Sequence, residues 1–139
     1  MRYFLEFSYK GTAYHGWQRQ PNASTVQQQM EDALTTLLGK ETAVLAAGRT
    51  DTGVHAKQMF AHVDLALNAE AIKQLGHRLN KFLPHDIAIK AIHPVKADAH
   101  ARFDAISRSY AYHLVPHKSP FTHELAYTFT TALDWDAMN

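Results

Sequence analysis

The stretch Ala47-Gly48-Arg49-Thr50-Asp51-Thr52-Gly53-Val54-His55-Ala56 concentrates more chemically useful side chains than any other part of the sequence. A tight loop with glycines on both sides exposes its side chains to a partner. An arginine two residues before an aspartate favours the ionised acid, because a neighbouring positive charge stabilises the charged form. Nucleophilic and proton-abstracting catalysis both require an ionised, positioned carboxylate. The competing reading is a hairpin turn with a polar tip, and the pairing of Arg49 with Asp51 weighs against it. Asp51-Thr52-Gly53 also spells the aspartic-protease triplet. That chemistry needs two carboxylates sharing one proton. The sequence holds one triplet, and Arg49 opposes proton sharing, so the protease reading is set aside.

A second group of residues points to a polyanion. Lys10, Arg19, Arg49, Lys57, Arg102 and Arg108 are interleaved with Tyr9, Tyr14, Trp17 and Phe103. Cations beside aromatics suit contact with an RNA backbone together with base stacking. The opposing reading makes the charges a solvated surface and the aromatics core. Net charge is only +1, so RNA binding must rest on where these cations sit rather than on their sum. Ten histidines raise the question of a metal, but none shows the His-Glu-x-x-His spacing and there is no cysteine to complete a site. No metal is expected. His55 and His100 either touch substrate or fix their loops by hydrogen bonding, and the second role is favoured.

The elements that would carry these residues follow from periodicity. At 139 residues the chain has length for one ordinary domain. Tyr3, Leu5, Phe7 and Tyr9 alternate as in a strand, and Lys10 to Asn22 reads as a loop. Ser24 and Gln27 have capping-box spacing ahead of a helix striped by Val26, Met30, Leu34, Leu37 and Leu38, which Gly39 ends. Thr42 to Ala47 is β-like. A further strand has Met59, Ala61, Val63 and Leu65 on one face and Phe60, His62 and Asp64 on the other. Asn68 caps a second helix carrying Ile72, Leu75, Leu79 and Phe82, and Pro84 ends it. Ile87, Ile89 and Ile92 mark another strand, a polar loop runs from Ala97 to Phe103, and Tyr110, Tyr112 and Leu114 alternate once more. The order β-α-β-β-α-β plus an additional strand predicts an α+β, ferredoxin-like (split βαβ) antiparallel sheet with both helices on one face. A domain over 1–130 is expected, with 131–139 starting a linker or helix, capped by Asp134, toward a further domain. No apolar run reaches membrane-spanning length, and Glu6 interrupts the N-terminus where a signal peptide would be apolar. With no cysteine present, the expectation is a cytoplasmic protein.

Four stretches then carry a family likeness. These are Phe7-Ser8-Tyr9-Lys10-Gly11-Thr12-Ala13-Tyr14-His15-Gly16-Trp17-Gln18-Arg19-Gln20, Ser24-Thr25-Val26-Gln27, the Ala47–Ala56 loop, and His100-Ala101-Arg102-Phe103-Asp104-Ala105 with Arg108-Ser109-Tyr110-Ala111-Tyr112. In them the sequence resembles the tRNA pseudouridine synthase A family, which isomerises uridines in the anticodon arm of tRNA. The resemblance implies that Asp51 is the essential aspartate, that Arg49 helps displace the target base and that Tyr110 packs against it. The pattern of cations beside aromatics adds Arg102, whose motif also matches the family, and Arg108, with His55 of the loop, as substrate-binding candidates, and Lys10, Trp17, Arg19 and Lys57 as RNA-binding ones. The reaction breaks a glycosidic bond, turns the uracil and rejoins it through carbon without a redox change, so no cofactor is implied. Whether the carboxylate adds to the nucleoside or removes a ribose proton is left open by these residues. Extruding a base costs a few kcal/mol, which stacking on an aromatic returns at about 1–3 kcal/mol per base. The resemblance further implies a second half of similar fold, an active-site cleft between the halves, a homodimer, and weak or no activity for this chain alone. The alternative function is a non-catalytic RNA-binding module of the same fold.

Overall fold

Tyr3, Leu5, Phe7 and Tyr9 all point into the core from strand β1 (Arg2–Tyr9), as their alternation demands. The computed structural model describes residues 1–139 and divides into two compact units, Met1–Ile106 and Ser107–Asn139. In the first unit β1 is followed by α1 (Val26–Leu38), β2 (Leu45–Ala46), β3 (Ala56–Asp64), α2 (Ala69–Phe82) and β4 (Ile87–Val95). The sheet order is β2-β3-β1-β4, with every neighbouring pair antiparallel. This is the split βαβ arrangement expected from the sequence. Val26, Met30 and Leu34 of α1 and Ile72, Leu75 and Leu79 of α2 share one core with the inward face of β1 and with Ala61 and Val63 of β3.

Some details differ from the periodicity. The α1 cap is Thr25, whose hydroxyl accepts the Gln28 N–H, and not Ser24. The Ser24 carbonyl instead accepts from His15 N–H, and the Gln27 amide reaches Arg19 N–H and the Val44 carbonyl rather than closing a capping box. Thr42, Val44 and Ala46 are buried in alternation, yet only Leu45 and Ala46 pair with β3. Phe82 is half exposed at the last turn of α2, and Leu83 takes its place in the core. The three-residue step from Ile89 to Ile92 is explained by a β-bulge. Phe7 pairs with Ile89 and Glu6 with Ala91, so Lys90 is an extra residue that returns Ile92 to the helix side.

The second unit has little regular structure. The strand expected around Tyr110, Tyr112 and Leu114 shrinks to β5 (Leu114–Val115), paired in parallel with β6 (Tyr127–Thr128). Two residues give few ladder bonds, and Tyr110 and Tyr112 are exposed, so their alternation has no apolar face to cover within this unit. Asp134 caps the one-turn α3 (Trp135–Met138) by accepting the Ala137 N–H. No helix of the chain is long and apolar enough to cross a membrane.

Candidate active site

The loop between β2 and β3 is tied down through its backbone on both sides of Asp51. Ahead of it, the Thr50 carbonyl accepts the Trp17 N–H at 3.1 Å, and the Thr50 hydroxyl bonds the Tyr9 hydroxyl at 2.8 Å. Behind it, Gly53, at φ 80°, donates its N–H to the Tyr14 carbonyl at 3.3 Å, and Val54 N–H closes a turn onto the Asp51 carbonyl at 3.1 Å. His55 Nδ1 accepts the Gly11 N–H at 2.9 Å. The Asp51 carboxylate itself is exposed and has neither a hydrogen bond nor an ion pair from the protein. A fixed backbone therefore presents an acid whose lone pairs are all available.

Residues 10–17 supply nearly all of these anchors, and two glycines allow the approach. A side chain at Gly11 would overlap the Val54 carbonyl, and one at Gly16 would overlap the Thr50 carbonyl, where φ of +79° already disfavours an L residue. The spacing Gly11-x-x-Tyr14-x-Gly16-Trp17 thus encodes a backbone cradle for the Asp51 loop. Sequence reasoning missed this role.

The named site residues separate into groups. Arg49 in the loop, Lys10 just beyond β1 and Lys57 at the start of β3 are exposed and lie at the end of the sheet from which the Asp51 loop emerges. Arg49, expected to sit against Asp51 as a counter-charge, forms no ion pair with it. Trp17 is a correction. It is 3% exposed and packs on Phe7, with ring centroids 5.3 Å apart, and on Tyr9, so its ring is core and no RNA base can reach it. Tyr9 and Tyr14 are likewise buried, whereas Phe103 is 76% exposed. Arg19 bonds Glu31 at 3.0 Å and Asp32 at 2.9 Å, which turns its charge onto α1. His55 Nδ1 accepts the Gly11 N–H, a bond between its loop and the segment after β1.

Arg102 projects from a self-braced turn. The Ala101 N–H donates to His62 Nδ1 at 3.1 Å, His100 Nδ1 accepts from Arg102 and Phe103 N–H, and Asp104 accepts the His100 N–H. This turn meets β3 at His62, six residues from Ala56, or roughly 20 Å of strand from the Asp51 end. Arg108 and Tyr110 belong to the second unit, where Tyr110 is 69% exposed.

Several titratable groups are committed to structure. Glu6, on the sheet face away from the helices, accepts from Gln58 (2.7 Å), His93 (3.0 Å) and Lys90 (3.1 Å), and these donors hold its carboxyl down at about 2. Burial lowers His62, aided by the charge of Arg2. Asp64 is lowered by its bidentate bond from Arg2. Burial raises the Tyr14 phenol, and the hydrogen bond it gives Asp86 raises it further.

Residues 7–104 match a protein family described as tRNA pseudouridine synthase. The tRNA pseudouridine synthase A of Porphyromonas gingivalis is 51% identical over 139 residues, covering 99% of this chain and 55% of that protein. The proteins of the same name from Parabacteroides distasonis and Geobacter sp. strain M21 are 48% and 41% identical over 138 residues, with 99% and 96% of this chain covered and 55% of each of them. The chain spans about half the length of the curated relatives it matches.

Proposed function

The chain belongs to the tRNA pseudouridine synthase family, and on that premise we propose that its protein converts uridines of tRNA to pseudouridine with Asp51 as the essential carboxylate. One observation carries the assignment of Asp51. Its loop is anchored by backbone bonds on both sides while its own carboxylate is exposed and unengaged. Preorganising the backbone leaves little to reorganise when a nucleoside arrives, which is how positioning lowers a barrier. Addition to the nucleoside and removal of a ribose proton both need such an acid.

The remaining roles are carried over from the family resemblance and the pattern of charges. Arg49 displaces the target base, and Tyr110 offers a ring on which the extruded uracil stacks. Lys10, Lys57, Arg102 and Arg108 face phosphates. Trp17 and Arg19 act on the scaffold, and His55 acts through its loop. The substrate is the anticodon arm, and the full-length protein works as a cytoplasmic homodimer. Because phosphate contacts release counterions, tRNA affinity falls steeply with added salt.

Tritium release from tRNA carrying 5-tritiated uridine tests the assignment in the full-length protein. Release is expected from the natural sequence and is expected to vanish in Asp51→Ala, while tRNA binding persists. Equal release from both would remove Asp51 from the chemistry. Binding without release from either would favour an RNA-binding module.

A further inference from the structure

We infer that Tyr14 and Asp86 form a strut that positions the catalytic loop, bracing the Gly53 side of Asp51 against the corner between α2 and β4. The inference rests on the reading of Asp51 as the reacting carboxylate.

The two sides of Asp51 are anchored differently. On the Thr50 side, Trp17 N–H and the Tyr9 hydroxyl both hold the loop, and both residues are packed in the core. On the Gly53 side residues 10–17 give two bonds, Gly11 N–H to His55 Nδ1, four residues from Asp51, and the nearer one, Gly53 N–H to the Tyr14 carbonyl, two residues from it. That bond locates Asp51 only as well as Tyr14 is itself located. The backbone at Tyr14 is held by local bonds, its N–H to the Gly11 carbonyl of the 3-10 turn Gly11–Ala13 at 3.0 Å and the His15 N–H to the Ser24 carbonyl at 2.8 Å. Its side chain makes the longer connection. The ring is buried, and its hydroxyl donates to Asp86 Oδ1 at 2.6 Å across 72 residues of sequence. This is the length of a charge-assisted O–H···O bond, the stronger class.

Asp86 is well placed to be the fixed end. It occupies the turn between Pro84 and β4, closed by Ile87 N–H onto the Pro84 carbonyl at 3.1 Å, and Leu83 and Ile87 on either side are core residues. Its own carbonyl accepts the Lys10 N–H at 2.9 Å, so one residue grips both Lys10 and Tyr14. The path runs from the α2–β4 corner through the Asp86 carboxylate, the Tyr14 hydroxyl and the Tyr14 carbonyl to Gly53. Removing the middle bond leaves a buried phenol without a partner and lets the Gly53 side move while the Thr50 side stays fixed. Asp51 would then swing about Thr50. Neither residue touches the reacting atoms, so both are positioning residues.

The test uses the full-length protein and compares Tyr14→Phe, Asp86→Ala and Asp86→Asn. Displacement of the acid by about 1 Å predicts a loss of up to roughly 10²-fold in the single-turnover rate of tritium release for Tyr14→Phe and Asp86→Ala. The Kd for tRNA should be unchanged. Asp86→Asn keeps an oxygen acceptor for the Tyr14 hydroxyl and should recover most of the rate. Amide hydrogen exchange supplies a readout independent of turnover. Gly53 should exchange faster in Tyr14→Phe and Asp86→Ala while Leu5 and Phe7 in β1 keep their protection. Unchanged rates, equal losses in Asp86→Asn and Asp86→Ala, or exchange rising in β1 together with Gly53 would each overturn the strut. Should Asp51→Ala turn over like the natural sequence, the functional reading fails, and exchange at Gly53 still decides the strut.

Discussion

Two carboxylates on one sheet are treated in opposite ways. Glu6 stands in the middle of β1, where pairing to β3 on one side and to β4, beside the Lys90 bulge, on the other fixes the backbone, and its side chain is engaged by Gln58, Lys90 and His93. Asp51 stands in an irregular loop at the end of the same sheet, where hydrogen bonds go to the backbone and the side chain has none. A carboxylate with three of its roughly four acceptor positions taken by donors has little capacity left for a substrate and contributes to the fold. One that is held from behind keeps its acceptor capacity for a visitor. The difference separates an acid committed to the fold from one left free to engage a partner by where the hydrogen bonds fall, without appeal to burial alone.

The largest expected effect crosses the two sites. Asp51→Ala should lower the turnover of the full-length protein by at least roughly 10²–10⁴-fold, the range a positioned acid or base supplies, and leave its thermal unfolding unchanged. Glu6→Gln should do the reverse, with turnover preserved and unfolding shifted. Kinetics and a melting curve on both variants check this. Loss of turnover in Glu6→Gln with intact stability would erase the distinction between the acids.

Much of this was legible in the residues, and the failures have physical causes. Period-two alternation in Tyr3–Tyr9 and the stripe from Val26 to Leu34 located the sheet and helices because burial of one face is what those periods report. The Asp51 loop was legible from composition. The cradle was not, since Gly11, Tyr14 and Gly16 act through backbone atoms that any sequence possesses, and only the glycine spacing hints at a close approach. Asp86 lies 72 residues from Tyr14, and no local pattern reports such a partner. For Trp17 the opposing reading, that the aromatics interleaved with the cations are core, is the one that holds, because the chain turns inward there to donate its N–H to Thr50. The Ile89-to-Ile92 step had a meaning that only the bulge at Lys90 reveals.

Next in size is the glycine contrast. Gly16 and Gly39 both have positive φ, 79° and 67°, but a side chain at Gly16 meets the Thr50 carbonyl whereas nothing lies within 4 Å at Gly39. Alanine at either site should cost about 1–3 kcal/mol of backbone strain, measurable by urea unfolding. Only Gly16→Ala should also depress turnover, by up to about 10²-fold, because relief of the overlap displaces the residue before Asp51. Equal turnover in the two variants would show that the loop tolerates movement and that its backbone anchors are not what readies the acid.

A smaller effect is confined to acid. The three donors lower Glu6 from 4.5 to about 2, so its stabilising contribution is fully present above about pH 4.5 and is lost as pH falls through about 2. Stability of the natural sequence should therefore decline over that window, and Glu6→Gln should flatten the decline. Denaturant titrations at several acid pH values read the slope. An unchanged slope would mean that Gln58, the half-exposed His93 and the exposed Lys90 hold Glu6 no better than water does.

The smallest expected effect carries the comparison to a second buried group on the same sheet face. His62 is enclosed by Phe4 and His100 and faces the charges of Arg2 and Asp64, and its Nδ1 takes the Ala101 N–H. Burial lowers its pKa from 6.5, with Arg2 and His100 acting in the same direction and Asp64 against them. The unfolded chain therefore binds a proton here before the folded one does, and the fold loses stability as pH drops below about 6.5. Asparagine offers an oxygen near the position of Nδ1 and cannot titrate, so His62→Asn should remove part of that loss while keeping the bond to Ala101. Urea midpoints at about pH 7.5 and about pH 5.5, on either side of the usual histidine value, measure it. The variant should lose less stability than the natural sequence between the two conditions. An equal loss would place the acid sensitivity in other histidines and leave the carboxylates Glu6 and Asp64 as the structural acid–base groups that the sheet face controls.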